Sequence, residues 1–230
     1  RVVVPAVSFA ATVNSVMMTE HEPMFCDVDN YGILDLENLE SSLNEDRISA
    51  VMFVNLYGNV IDYNRLKLLT EFFGRSPMVI EDAAQSFGAD WASMPSGKLG
   101  DVSVLSFDPT KNFNNYGSGG MILTDNARIA EALADFRDNG KHNGHMWPGT
   151  NSKMSEQECA QIMVRAKQID KWQWRRKEIR HYYLDTFKNL QLRCLSRDHI
   201  IHADQKFVVY TDRRDQLKDY LTANNVDTRI

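Results

Sequence analysis

The sequence predicts an α/β fold in which a mainly parallel sheet is covered by helices on both faces. Short apolar runs alternate with stretches in which apolar residues recur at helical spacing. This alternation is typical of βαβ units, in which a helix returns the chain to a parallel strand. The chain has 230 residues, 43% of them hydrophobic and 25% charged, which is enough for the sizeable core that such a sheet needs.

The predicted strands coincide with short runs of β-branched and other apolar residues. They cover residues 2–4, 24–28, 50–54, 78–80, 102–107 and 121–123. The predicted helices lie between these strands, where apolar residues recur every three or four positions. They cover residues 9–18, 36–43, 63–73 and 127–136.

The pattern changes in the last third of the chain. Residues 155–187 predict one long or broken helix, which Ser155 and Glu158 open as a capping box. The elements expected beyond it are a strand at 207–210, a helix at 214–221 and the start of a strand at 227–230. We therefore predict a large domain over residues 1–170, followed at 171–230 by a connecting helix and part of a smaller domain.

The composition argues against a nucleic-acid or membrane partner. The formal net charge is −5, so the chain has no basic field that would attract a polyanion. A basic run does follow Trp172, but it lies in a predicted helix with interleaved acids, and we expect Trp172 and Trp174 to pack against the large domain. No apolar run approaches the roughly 18 residues of a membrane span.

Cysteine and histidine usage predicts neither a disulfide framework nor a metal centre. The three cysteines lie far apart in sequence and favour a reducing, cytoplasmic location. His142 and His145 are close in sequence but lack the further clustered ligands that a metal needs. We expect them to lie in a loop.

Polar residues follow two of the predicted strands. Glu81 and Asp82 come directly after one strand, and Lys111 follows the next one ahead of a glycine-rich loop. Ligands of open α/β sheets bind outside the carboxyl ends of the strands. A lysine there can form a Schiff base with a carbonyl cofactor, and a carboxylate can keep a cofactor's ring nitrogen protonated. On spacing alone, a helix-capping Asp82 and an ordinary surface Lys111 remain the simpler interpretation.

The motifs around these residues add a resemblance. VIEDAAQSFGA and GDVSVLSFDPTKNFNNYGSGGMILT resemble the DegT/DnrJ/StrS family of sugar aminotransferases, which are fold type I pyridoxal-phosphate enzymes. Four further segments resemble the family in the same order: VVVPAVSFAATVNSV, CDVDNYGILDLENLE, VNLYGN and GTNSKMSEQECA. The resemblance implies a three-layer αβα large domain with a mainly parallel sheet, followed by part of a small C-terminal α/β domain.

The resemblance assigns a role to each candidate residue. Lys111 is expected to bind pyridoxal 5′-phosphate covalently and to shuttle protons, and Asp82 to pair with the pyridine nitrogen. Gln85 is expected beside the ring hydroxyl, Ser106 at the phosphate and Phe9 stacked on the ring. These five residues would form most of one cofactor site.

The resemblance also implies partners. Asn151 is expected to reach the phosphate of the neighbouring subunit, which implies a homodimer with shared active sites. The expected reaction transfers an amino group from an amino acid, expected to be glutamate, to the keto group of a nucleotide-linked sugar. Such reactions serve amino-sugar biosynthesis for polysaccharides such as O-antigen. Relatives that eliminate a hydroxyl instead carry a histidine in place of the lysine, so Lys111 argues against that branch.

Departures from the family pattern leave alternatives open. The family usually has histidine at Asn55 and arginine at Lys153, and either change could alter substrate contacts. The family's phosphate-binding Gly-Ser/Thr turn would precede residue 1, so we expect an internal piece of a longer protein. A catalytically silent relative that acts as an interaction or regulatory subunit is one alternative. Elimination or racemisation on an amino acid is another.

Overall fold

The computed structural model of the chain describes residues 1–44, 48–72, 76–190, 192–195, 197 and 200–230. The strands are β1 (Val2–Pro5), β2 (Pro23–Cys26), β3 (Ala50–Val54), β4 (Met78–Asp82), β5 (Asp90–Trp91), β6 (Met94–Pro95), β7 (Val102–Ser106), β8 (Gly120–Leu123), β9 (Arg193–Cys194), β10 (Ile200–Ile201) and β11 (Val209–Tyr210). The helices are α1 (Ala10–Met17), α2 (Leu36–Leu43), α3 (Tyr63–Phe72), α4 (Ala127–Arg137), α5 (Glu156–Ala166), α6 (Ile169–Phe187) and α7 (Arg214–Ala223).

Six strands form the central sheet in the order β2-β1-β3-β4-β7-β8. The first five run parallel to one another, and only β8 is antiparallel to its neighbour β7. The predicted mainly parallel α/β sheet is therefore confirmed. Because the parallel strands share one direction, their carboxyl ends meet at one edge, where the candidate residues were expected.

Helices cover both faces of this sheet, as predicted. Side chains alternate along β1, since successive strand residues point to opposite faces. Val3 packs in one cluster with Leu39 of α2 and Leu66 of α3. Val4 packs in a second cluster with Val16 of α1. The two cores form because strand side chains alternate between the two faces and because each helix has apolar residues at every third or fourth position.

The elements agree with the predictions except in their details. The strand predicted at 78–80 continues to Asp82, so the acid pair ends the strand rather than following it. The capping box of Ser155 and Glu158 is present, and the long predicted helix is broken into α5 and α6. Phe73, predicted to end a helix, lies outside the described residues. No strand forms at 227–230.

The C-terminal part of the chain pairs with a hairpin that lies between β4 and β7 in sequence. β10 pairs antiparallel with β5, which is joined in turn to β6. β9 and β11 pair separately.

Trp174, expected to pack against the large domain, is 63% exposed, because it lies on the outer side of α6. In the part of the chain that the structure describes, no helix is both long and apolar enough to cross a bilayer.

Candidate functional site

Two neighbouring strands bring the candidate residues to one edge of the sheet. Asp82 is the last residue of β4, and Ser106 is the last residue of β7. The register places Asp82 opposite Val104, so that Ser106 lies just beyond it on the next strand. The loop that carries Lys111 begins directly after Ser106. The sheet thus collects an acid, a hydroxyl and an amine that are far apart in sequence.

Asp82 is held in a fixed orientation by two donors. Thr12, at the start of α1, donates from Oγ1 to Asp82 Oδ2 at 3.0 Å. The backbone N–H of Ala84 donates to Asp82 Oδ1 at 3.1 Å. Thr12 is itself buried and lies 2.7 Å from Ser8 through their hydroxyl oxygens. No local pattern indicates this role for Thr12, because the contact spans 70 residues.

Glu81 faces the opposite way and is fully buried. Its carboxylate accepts hydrogen bonds from the side chains of Asn55, Ser96 and Ser103 and from the backbone N–H groups of Gly97 and Leu99. These bonds are 2.6–3.0 Å long. Asn55 is also fully buried and accepts from the Ile61 N–H, so the expectation that it could alter substrate contacts is wrong.

Gln85 contacts a strained turn. The backbone N–H of Tyr57 donates to Gln85 Oε1 at 2.9 Å, in a turn where Tyr57 has a φ of 60°. A positive φ at a bulky residue is unfavourable and is retained only where surrounding contacts enforce it. Burial raises the pKa of the Tyr57 phenol, and Tyr210 adds to the rise. The hydrogen bond from Tyr57 therefore fixes the oxygen of the Gln85 amide, and the amide nitrogen stays available as a donor.

The loop of Lys111 is built by its neighbours. The backbone N–H of Lys111 donates to the Asp108 carbonyl at 2.9 Å. Thr110 bonds to the Asp108 side chain, and these hydrogen bonds lower the pKa of that carboxyl. Asn112 donates to the carbonyl of Phe87 at 2.7 Å. The run around Lys111 therefore fixes the backbone from which the amine extends.

The loop is also anchored in the core. Phe113 packs against Phe87 at 4.5 Å between ring centroids and against Phe107 at 5.4 Å. The Asn115 N–H donates to the Phe107 carbonyl at 2.7 Å, and its side chain donates to the Glu158 carbonyl. Each member of the Asn-Phe-Asn-Asn run after Lys111 thus has a structural partner or a packing position.

Comparison with known proteins identifies the family to which the chain belongs. The sequence profile of the DegT/DnrJ/EryC1/StrS aminotransferase family matches residues 1–230. The chain belongs to this family. A dTDP-3-amino-3,6-dideoxy-alpha-D-galactopyranose transaminase from Aneurinibacillus thermoaerophilus is 32% identical over 100% of this chain and 64% of its own length. A protein of Geobacillus stearothermophilus named Pleiotropic regulatory protein is 30% identical over 100% of this chain and 63% of its own length.

A solved relative has the same fold. The structure of DesV from S. venezuelae in complex with a ketimine intermediate superposes with a TM-score of 0.92 at 30% identity, over 98% of this chain and 62% of DesV. The fold type I architecture is therefore shown. The chain spans a little under two thirds of the length of these relatives.

Of the remaining predicted residues, Phe9 and Asn151 are exposed and Ser106 is half-buried. Ser106 Oγ accepts from the Asp108 N–H at 3.3 Å, and its own proton can still be donated. Phe9 is 69% exposed at the start of α1, one residue after Ser8. Asn151 is exposed and forms a β-bridge with Asp138. Its segment makes none of the described hydrogen bonds to the Asp82 or Lys111 groups.

Lys153, where the family usually has arginine, is paired with a residue of its own chain. Its amine forms an ion pair with Asp138, and this contact lowers the pKa of the Asp138 carboxyl. Lys153 therefore braces the segment that presents Asn151.

A cavity of about 620 Å³ lies elsewhere, lined by Leu190, Leu192, Arg193, Tyr210, Thr211 and Asp212. None of the predicted site residues lines it. The convergence of polar groups at the sheet edge, rather than this cavity, marks the candidate site.

Proposed function

We propose that this chain is the cofactor-binding part of a pyridoxal-phosphate aminotransferase. The enzyme would move an amino group from an amino acid, glutamate, to the keto group of a nucleotide-linked sugar. One observation carries the proposal: in a member of an aminotransferase family, Lys111 sits on a fixed loop beside the strand that ends in the doubly anchored Asp82. The transaminase name of the Aneurinibacillus relative supports the nucleotide-linked sugar.

The residues present fit the cofactor by their chemistry. Asp82 supplies a carboxylate that neutral donors hold in place, and Ser106 supplies a hydroxyl next to the Asp108 N–H. Phe9 offers an exposed aromatic face on the segment tied to Asp82 through Thr12. Bound pyridoxal phosphate would supply an aldehyde and an electron-withdrawing ring.

Each residue then has a defined task. Lys111 Nζ would hold the cofactor until the donor's amine displaces it, and would then move the proton from the donor's α-carbon. Asp82 would hold a proton on the ring nitrogen, so that the ring continues to withdraw electrons. Gln85 would donate from its amide nitrogen towards the ring hydroxyl, and Ser106 and the Asp108 N–H would bind the phosphate.

The proposal includes a homodimer in the cytoplasm. Asn151 and Phe9 are exposed at the surface, where a second subunit could cover them. The three cysteines Cys26, Cys159 and Cys194 are free, which is typical of a reducing compartment. Burial raises the pKa of the Cys26 thiol to about 12, so that this cysteine stays neutral and inert.

The first experiment compares visible absorbance spectra of the full-length protein with pyridoxal phosphate. We expect a yellow band that glutamate bleaches, and no such band in Lys111→Ala. Lys98→Ala, which removes an exposed lysine outside the proposed site, should keep the band. A colourless protein, or a Lys111→Ala spectrum like that of the parent, would overturn the proposal and favour a catalytically silent relative.

A further inference from the structure

A short C-terminal segment docks against the loops of the candidate site. The segment covers residues 203–206 and follows β10. Its backbone N–H groups at Ala203 and Lys206 donate to the carbonyls of Gly58 and Tyr57, at 2.9 and 3.3 Å. The Ala203 carbonyl accepts from the Asn112 side chain at 3.4 Å. The segment therefore touches both the turn that binds Gln85 and the loop that carries Lys111.

Gln205 contacts the peptide bond that leads into Lys111. Its side chain is 8% exposed, and Nε2 donates to the Thr110 carbonyl at 3.1 Å. That carbonyl belongs to the peptide bond that joins Thr110 to Lys111. The other amide atom, Oε1, is buried and finds no hydrogen-bond partner among the described residues. Burying an unpaired amide oxygen is unfavourable, so the stability of the fold alone does not explain a glutamine here.

The segment is braced from behind by helix α6. Arg180 Nε lies 3.3 Å from Asp204 Oδ1, and both side chains are largely buried. Arg176 donates to the Asp204 carbonyl at 3.3 Å. Asp204 is therefore fixed to a helix, and the next residue, Gln205, is bonded to the peptide that leads into Lys111.

We infer that Gln205 is a positioning residue for Lys111. Its donated hydrogen bond fixes the orientation of the Thr110–Lys111 peptide, and so the direction in which the lysine side chain leaves the backbone. The catalytic part of this inference rests on the proposed function. The hydrogen bond from Gln205 to the Thr110 carbonyl is present without cofactor. Position matters because small displacements of a reacting group lower its rate strongly.

The test uses Gln205→Met in the full-length protein, because methionine keeps the volume and removes the donor. Amide hydrogen exchange of the cofactor-free protein should become about fivefold faster at residues 111–113, the effect of one ordinary hydrogen bond. With cofactor, the circular dichroism of the visible band should weaken while its absorbance persists. In turnover, kcat should fall by a larger factor than KM rises.

The controls separate positioning from general stability. Gln157→Met makes the same change on the exposed surface of α5 and should alter none of these readouts. If Gln205→Met does not fold, Gln205→Asn decides by the same readouts, since it keeps the amide but is one carbon too short to reach Thr110. Unchanged exchange at 111–113, or an equal increase over the whole chain, would overturn the inference. Because exchange needs no cofactor, failure of the aminotransferase proposal would show separately, as a missing absorbance band.

Discussion

At the residue scale, Glu81 and Asp82 carry the same functional group side by side and serve different purposes. Strand alternation turns Glu81 into the core and Asp82 towards the open edge of the sheet. Glu81 is enclosed by hydrogen-bond donors and ties the turn at 96–99 to the sheet. Asp82 is anchored by Thr12 and Ala84 and remains half-buried. One carboxylate builds the site, and the other is available to act in it.

Glu81→Gln is expected to lower the free energy of unfolding by roughly 2–4 kcal/mol. The glutamine NH₂ replaces one carboxylate oxygen, and in either amide orientation it would face hydrogen-bond donors. The hydroxyls of Ser96 and Ser103 can rotate to accept from that NH₂, but the N–H groups of Gly97 and Leu99 cannot. Urea unfolding of the cofactor-free protein measures the change. Glu40→Gln, on an exposed face of α2, should leave the unfolding free energy nearly unchanged. Equal stability of the two variants would contradict the buried role of Glu81.

The sequence located the reactive candidates but not the residues that hold them. Asp82, Ser106 and Lys111 follow strands, and local pattern is enough to find such positions. Thr12 and Gln205 reach the site across 70 and 95 residues. Long-range hydrogen bonds leave no periodic trace in the sequence, so these two could not be predicted. For the same reason, the sequence did not reveal that Asn55 lies in the core.

At the element scale, prediction succeeded where structure is local and failed where it depends on distant pairing. Long strands and helices such as β3 and α2 have the bounds that their apolar runs predict. The two-residue strands β5, β6 and β10 were missed, because they exist only through pairing with one another. β10 also brings segment 203–206 onto the site, so a missed element concealed part of the candidate site.

Gly58 tests the docking of that segment. It has a φ of +101°, and an added Cβ would lie 2.9 Å from the Asp204 N and 3.1 Å from the Gln205 N. Gly58→Ala should therefore push the segment away and lower the free energy of unfolding by roughly 2–4 kcal/mol, the strain of the left-handed conformation plus the clash. Exchange at the amides of Ala203 and Lys206 should rise more than elsewhere.

Gly144→Ala is the matched control for this substitution. Gly144 also has a positive φ, +65°, but an added Cβ would meet no atom of the described residues within 4 Å. It should show only the conformational cost, about 1–2 kcal/mol. If the two alanine variants lose equal stability, or if exchange at 203 and 206 does not change in Gly58→Ala, the docking contact contributes little.

At the scale of the whole molecule, the chain presents a site that is open on one side. Phe9 is exposed, and the Asn151 segment is held by the Lys153–Asp138 ion pair on a part of the surface that makes no described hydrogen bond to the Lys111 loop. If Asn151 serves the site of a second subunit, we expect it to be held at the surface, away from the Lys111 loop of its own chain. A symmetric dimer would then supply one Asn151 to each of its two sites, by the same contact.

Mixing two inactive variants tests this arrangement. In the full-length protein, Lys111→Ala removes the amine, and Asn151→Asp places a negative charge where the partner's cofactor phosphate should bind. Each variant alone should be inactive or nearly so. Refolded together in equal amounts, half of the dimers are hybrids, and each hybrid has one site that carries neither change. The mixture should therefore recover about a quarter of the parent activity. If Asn151 served the site of its own subunit, every site in the mixture would carry one change, and mixing would restore no activity.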